Sequence, residues 1–179
     1  MSILPLAALG DRIVISGPSN AGKSTLAVAL ARKLDVPAVH LDLLRHKPNT
    51  NWEVRPAEEF QQAHADAVAG EGWIIEGNYT SLFPPRLARA TGVIYLGSEP
   101  VRGALRYFRR TLFEKGRRAG QLEGNIDRIN FRMLHWILVT QPPRHTRDRD
   151  VLRAAGLPMV ELASMSELSR LYEAWNLSR

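Results

Sequence analysis

The chain has 179 residues, 45% of them hydrophobic and 23% charged, no cysteine and a net charge of +6. That length suits one compact domain. The lack of cysteine excludes disulfides and thiolate-held metals and fits a reducing cytoplasm. The longest apolar run, 133–140, is interrupted by His135 and is too short to span a bilayer.

The pI near 10.2 leaves two classes of partner open, a nucleic acid or acidic surface on one side and a polyphosphate on the other. Residues 1–10 carry Ile3, Leu4, Leu6 and Leu9 but no basic start, and they read as a short tail rather than a signal peptide. Short β-branched runs then alternate with helical stretches, which predicts a parallel sheet flanked by helices. Strands are expected at 12–16 (RIVIS), 38–41, 73–76, 93–96 and 159–162. Helices are expected at 23–34, at 56–69 with Pro56 at its start and Gly70 after its end, at 81–90, 100–113, 129–140 and 143–155, and at 166–175 behind a Ser164 or Ser166 cap. Residues 115–125 are polar and contain glycine, hence a loop. No repeat or linker interrupts the pattern.

Between the first strand and the first helix stands Gly17-Pro18-Ser19-Asn20-Ala21-Gly22-Lys23-Ser24-Thr25. This is G-x-x-x-x-G-K-[ST] in the strand–turn–helix setting the motif requires. Gly17 and Gly22 let the backbone turn its N–H groups inward at an anion. The helix adds the positive end of its dipole. Lys23 is expected to reach the β- and γ-phosphates of a nucleotide, and Ser24 to offer its hydroxyl to Mg²⁺.

Four segments carry a resemblance: 13–27 (IVISGPSNAGKSTLA), 40–44 (HLDLL) with Trp52 downstream, 73–79 (WIIEGNY) and 106–118 (RYFRRTLFEKGRR). Together they resemble adenylate-kinase-like P-loop proteins and, more narrowly, the topology-modulation (FlaR-like) family. The resemblance implies a doubly wound five-stranded P-loop fold and a nucleotide kinase or related phosphotransferase using ATP and Mg²⁺. It leaves the acceptor open. Members usually have Asp where this chain has Glu76, one methylene longer.

Asp42 lies past the second strand, at the end where parallel sheets bind ligands. In related kinases an Asp here faces the acceptor hydroxyl; the plainer alternative is a turn-capping Asp. Glu76 ends an apolar strand beside the phosphate loop, where a carboxylate would hold Mg²⁺ directly or through water. Gly77 would admit the acceptor closely, and Asn78 and Tyr79 would line its pocket, unless they are ordinary loop.

Residues 102–118 hold seven basic side chains against one acid, Glu114. Helical spacing puts Arg102, Arg106, Arg109 and Arg110 on one side and Val101, Leu105, Phe108 and Leu112, the expected docking stripe, on another. In adenylate-kinase-like proteins this region begins a lid, here about 106–128, with Arg106, Arg110 and Arg117 the best candidates to neutralise phosphate charge. A solvated basic face and a nucleic-acid surface are the alternatives. Arg144 and Arg147 offer a second clamp or pair locally with Asp148 and Asp150. The five histidines show no metal-ligand spacing; His135 and His40 read as core residues, and Trp52 as a loop anchor or a cover for an acceptor ring.

The expected activity is Mg-ATP-dependent phosphoryl transfer to a small acceptor, a nucleotide or nucleoside. The rival is a nucleotide-gated module that binds nucleic acid or protein and hydrolyses ATP slowly.

Overall fold

The computed structural model describes residues 3–50, 52–97, 100–113 and 131–178. Five strands form one sheet: β1 Arg12–Ser16, β2 Ala38–His40, β3 Trp73–Glu76, β4 Gly92–Leu96 and β5 Met159–Leu162. Their order is β2-β3-β1-β4-β5, with every pair parallel. The central strand is therefore the one that feeds the glycine loop. The register sets Val14 beside Ile75 and Val93, and Ile15 beside Glu76 and Ile94.

Alternation along each strand divides the core between two faces. Ile13, Ile15, Ile74, Ile94, Val160 and Leu162 face α1 (Lys23–Leu34) and α8 (Met165–Ala174), meeting Leu26, Leu30, Leu168 and Leu171. Val14, Ile75, Val93 and Tyr95 face the other way, toward Val68 of α3 (Ala57–Ala69), Phe83 of α4 (Phe83–Leu87) and Leu152 of α7 (Gln141–Ala154). Burial on both faces explains why the strands read as continuous apolar runs. This is the doubly wound sheet that the alternating pattern predicts.

Four local outcomes differ from expectation. The second strand stops at His40, and Leu41–Arg45 forms a short helix, α2. The two helices expected at 129–140 and 143–155 are one continuous helical run. It passes from α6 (Phe131–His135) through a π-helical turn (Trp136–Thr140) into α7. Pro142 and Pro143 lack N–H donors and crowd the preceding turn, and the wider π turn accommodates them without a break. Third, α5 (Pro100–Phe113) docks through Ala104 and Tyr107 against Ile137, while Leu105 of the expected stripe is 63% exposed. The small Ala104 takes up little room between the two helical segments. The same run leaves His135 exposed rather than in the core.

The closing helix is capped by Ser164, whose Oγ accepts from the Glu167 N–H while the Glu167 carboxylate accepts from the Ala163 N–H. Among the described residues no helix is long and apolar enough to cross a membrane.

Candidate active site

The glycine loop rises from the carboxyl end of β1 and is held from below by β4. Gly17 has φ +141°, and a Cβ built there would stand 2.1 Å from the Leu96 carbonyl oxygen. No L side chain fits. Gly22, at φ +92°, precedes α1 and turns the chain into the helix. Lys23 folds back along the loop, its Nζ donating to the Pro18 carbonyl at 2.9 Å. Thr25, the last motif residue, is exposed on α1.

Residues far along the chain brace this loop. The Asn78 Oδ1 accepts from Ser16 Oγ at 3.0 Å and from the Gly17 N–H at 3.1 Å, and its Nδ2 donates to the Gly17 carbonyl at 3.1 Å. Asn78 was expected to line an acceptor pocket; its carboxamide faces the base of the glycine loop instead. Arg106 on α5 donates through Nε to the Asn20 carbonyl at 2.7 Å. Gln141, 3% exposed at the start of α7, donates to Ser19 Oγ at 3.0 Å.

Ser24 and Glu76 meet. Ser24 Oγ donates to Glu76 Oε1 at 2.9 Å, and His40 Nδ1 lies 2.9 Å from the same oxygen. Glu76 is 5% exposed. Burial pushes its carboxyl up, but the His40 hydrogen bond, the Lys23 charge and Ser24 outweigh that and hold it below its ordinary range. His40 has the buried, satisfied side chain expected of it, 9% exposed, and as the last residue of β2 it is paired in register with Glu76.

Asp42 sits exposed in the first turn of α2, and the Tyr79 hydroxyl donates to its Oδ1 at 2.7 Å. Burial, then the neighbouring Asp42 and more weakly Glu76, push the Tyr79 phenol well above its ordinary value, so it stays a donor. Gly77 has φ +126°, and a Cβ there would come within 2.9 Å of Leu41 Cβ. Leu41 and the backbone, not an incoming ligand, already require glycine at this position.

Sequence reasoning missed Arg86. It is fully buried, and its guanidinium donates to the carbonyls of Gly77 (2.9 Å), Asn78 (2.6 Å), Tyr79 (3.2 Å) and Leu82 (3.2 Å). Burial lowers its pKa to about 9, opposed by the charges of Asp148 and Glu76, so it stays protonated at neutral pH. Asp148 in turn accepts from Thr80 Oγ1 at 2.8 Å. A buried arginine inside a short Pro-Pro helix leaves no local pattern that would reveal it.

Of the other expected basic residues, Arg144 stacks over the Trp136 ring at 5.0 Å and Arg109 is exposed. The side chains of Arg102 and Arg110, and all of residues 114–130 with Arg117 and Arg118, lie outside the described residues. Trp52 is 42% exposed and edges onto the His46 ring at 5.3 Å, a loop anchor.

A cleft of about 510 Å³ opens over β4 and β5, lined by Pro18, Ser19, Gly97, Gln141, His145 and Ala163 among others. The glycine loop thus has two flanks. The Asp42–Tyr79 pair and Glu76 stand on the β2–β3 side, and the cleft on the β4–β5 side.

Sheet order, parallel pairing and the glycine loop define a doubly wound α/β fold of the P-loop type. The fold is similar to that of a shikimate kinase from Bacteroides thetaiotaomicron, at a TM-score of 0.54 and 21% identity over 93% of this chain and 99% of that one. It is also similar to a gluconokinase from Sinorhizobium meliloti 1021, at a TM-score of 0.53 and 18% identity over 94% and 91%. No protein-family model matches the chain, and no curated protein does.

Proposed function

We propose that the chain catalyses Mg-ATP-dependent phosphoryl transfer to a small hydroxyl-bearing acceptor, a nucleoside or nucleotide. The observation that carries this is the placement of the tyrosine-held Asp42 on one flank of the glycine loop and the open cleft on the other. A kinase needs two such binding flanks around one transferable phosphate, whereas a simple switch needs only one.

The residues suit the cofactors. Positive φ at Gly17 and Gly22 lets the loop turn tightly against Leu96 and Leu168, the kind of backbone that can aim its amides at an anion. Lys23 Nζ, resting on the Pro18 carbonyl, is within the loop it would share with a phosphate. Ser24 and Glu76 offer hard oxygen donors to a divalent ion. Among the described residues no group of three or more His, Cys, Asp and Glu side chains could hold an ion by itself. A divalent ion at Ser24 and Glu76 would complete its shell with oxygens of the nucleotide and of water. Bound there, Mg²⁺ would neutralise charge on the phosphate oxygens.

The chain's own part is positioning. Loop amides and Lys23 hold the donor phosphates, with the base in the β4–β5 cleft. Tyr79 occupies Asp42 Oδ1, and Oδ2 takes the acceptor hydroxyl and its proton. Arg106 approaches from α5, and Arg110 and Arg117 would add charge from the lid-like segment 106–128. Arg144, stacked on Trp136, contributes only if it swings inward. The resemblance to the topology-modulation family, a single domain and a cytoplasmic setting all accord with this reading.

The test is transfer of labelled phosphate from ATP across a panel of nucleosides, nucleotides and sugar acids. Asp42→Asn should lower the rate about 10²- to 10⁴-fold, as loss of a positioned base does, with Mg-ATP affinity retained. Release of ADP and free phosphate with no phosphorylated product from any acceptor would reject the kinase. Salt-dependent DNA binding that responds to ATP would instead favour the nucleotide-gated module.

A further inference from the structure

Glu76 poses a geometric problem that its surroundings answer. A glutamate has one more rotatable bond than an aspartate, so its terminal oxygens are harder to fix where an ion would sit. Here the carboxylate is 5% exposed, and Oε1 is approached by two donors from different elements, Ser24 Oγ at 2.9 Å and His40 Nδ1 at 2.9 Å. The two donors come from opposite sides in the chain, the start of α1 and the end of β2. The β2–β3 register places His40 directly beside Glu76.

We propose that His40 is a positioning residue for the divalent ion. Its Nδ1–H holds Glu76 Oε1 so that the carboxylate presents its remaining lone pairs at a fixed place beside Ser24. His40 itself touches neither ion nor nucleotide. This rests on the phosphate-and-metal reading above and deepens it, because it says how a glutamate serves at that position. The tautomer follows from the partner: an ionised carboxylate only accepts, so Nδ1 carries the hydrogen. Hydrogen-bond partners behind a metal carboxylate commonly govern affinity by about 10- to 100-fold.

Two replacements separate this role from mere packing. The amide of Asn reaches roughly where Nδ1 stands, whereas the longer Gln mimics Nε2 and leaves Oε1 without its donor. Mn²⁺ binding to the protein–ADP complex, followed by electron paramagnetic resonance, reads the ion without requiring turnover. His40→Gln and His40→Ala should raise the Mn²⁺ Kd of that complex about 10- to 100-fold. His40→Asn should stay near the wild type, and ADP affinity without metal should be the same in all four proteins. Should His40→Ala fail to fold, the Asn and Gln pair still decides. Equal Mn²⁺ affinity in the Asn and Gln variants would overturn the proposal, as would a parallel loss of metal-free ADP binding. A wild-type ADP complex that takes up no Mn²⁺ is a different result, and it would overturn the metal reading itself.

Discussion

Tyr79 and Asp42 lie 37 positions apart in sequence, yet the phenol donates to the carboxylate at 2.7 Å. The geometry at Tyr79 is imposed, since its φ is +32°, a left-handed backbone that a bulky residue seldom adopts. Arg86 pulls the carbonyls of Gly77, Asn78 and Tyr79 inward, and this fixes the turn. Tyr79→Phe keeps the ring on Phe60, 5.0 Å away, and removes only the donor. Phosphoryl transfer should fall about 10- to 100-fold, the size of a hydrogen bond to a charged group, while Mg-ATP affinity holds. A single-turnover rate equal to wild type would refute the orienting role.

Replacing Arg86 should damage the fold more than any surface arginine would. Arg86→Met leaves four carbonyls without this donor and removes the buried charge that interacts with Asp148. Urea unfolding should show a loss of about 3–5 kcal/mol, typical of an uncompensated buried group. Arg86→Lys should fall between, because one ammonium cannot reach the same fork of acceptors. A Met variant as stable as wild type would mean the guanidinium contributes little.

Gly17→Ala tests the cradle directly. The new Cβ would meet the Leu96 carbonyl at 2.1 Å, and backbone is what must move. The residue would also hold φ +141°, a region L side chains avoid at a cost of about 1–3 kcal/mol. Calorimetry should show a lower melting temperature together with weakened Mg-ATP binding. Melting and binding both as in wild type would show that the loop has slack at this point.

Acid should weaken the fold before most carboxylates are protonated. His64 is lowered from 6.5 to about 4 by burial and by Arg86, and His145 from 6.5 to about 4 by burial and by Lys23. His64 Nε2 and both His145 nitrogens are buried without a hydrogen-bond partner among the described residues. The unfolded chain therefore takes up these protons first. Stability is full above pH 6.5 and is lost as pH falls toward 4, by on the order of 1–3 kcal/mol per histidine. Glu76, whose folded pKa is depressed, loses its contribution only below about 4.5. Chemical denaturation at pH 7, 6 and 5 should show the decline, and His64→Leu should flatten it. A flat profile between pH 7 and 5 would contradict the burial of neutral imidazoles.

Much of this was legible in the residues. The strands are dense in Val and Ile because both faces of the sheet are covered, and the anion loop declares itself through glycines that only glycine can satisfy. Local pattern failed where a side chain's partner lies far off in sequence. His40 gives no local sign of its partner; only the β2–β3 register, set when the sheet assembles, puts its imidazole beside Glu76. Asn78 and Gln141 carry no signal of their own, since their partners, Ser16, Gly17 and Ser19, are fixed only when the sheet assembles. Of the expected α5 stripe, Leu105 is exposed, and the described contact with Ile137 is made by Ala104 and Tyr107, small and amphipathic residues rather than large aliphatic ones; the side chains of Val101 and Leu112 lie outside the described residues.

The braces on the glycine loop have a practical consequence. Its contacts with Asn78, Arg106 and Gln141 span 61, 86 and 122 positions of chain. A peptide cut to β1, the loop and α1 would contain the whole signature yet lack everything that shapes it. Grafting the nine-residue signature onto a foreign strand–helix unit would transplant a label without its receptacle unless the carboxamide that follows β3 came too.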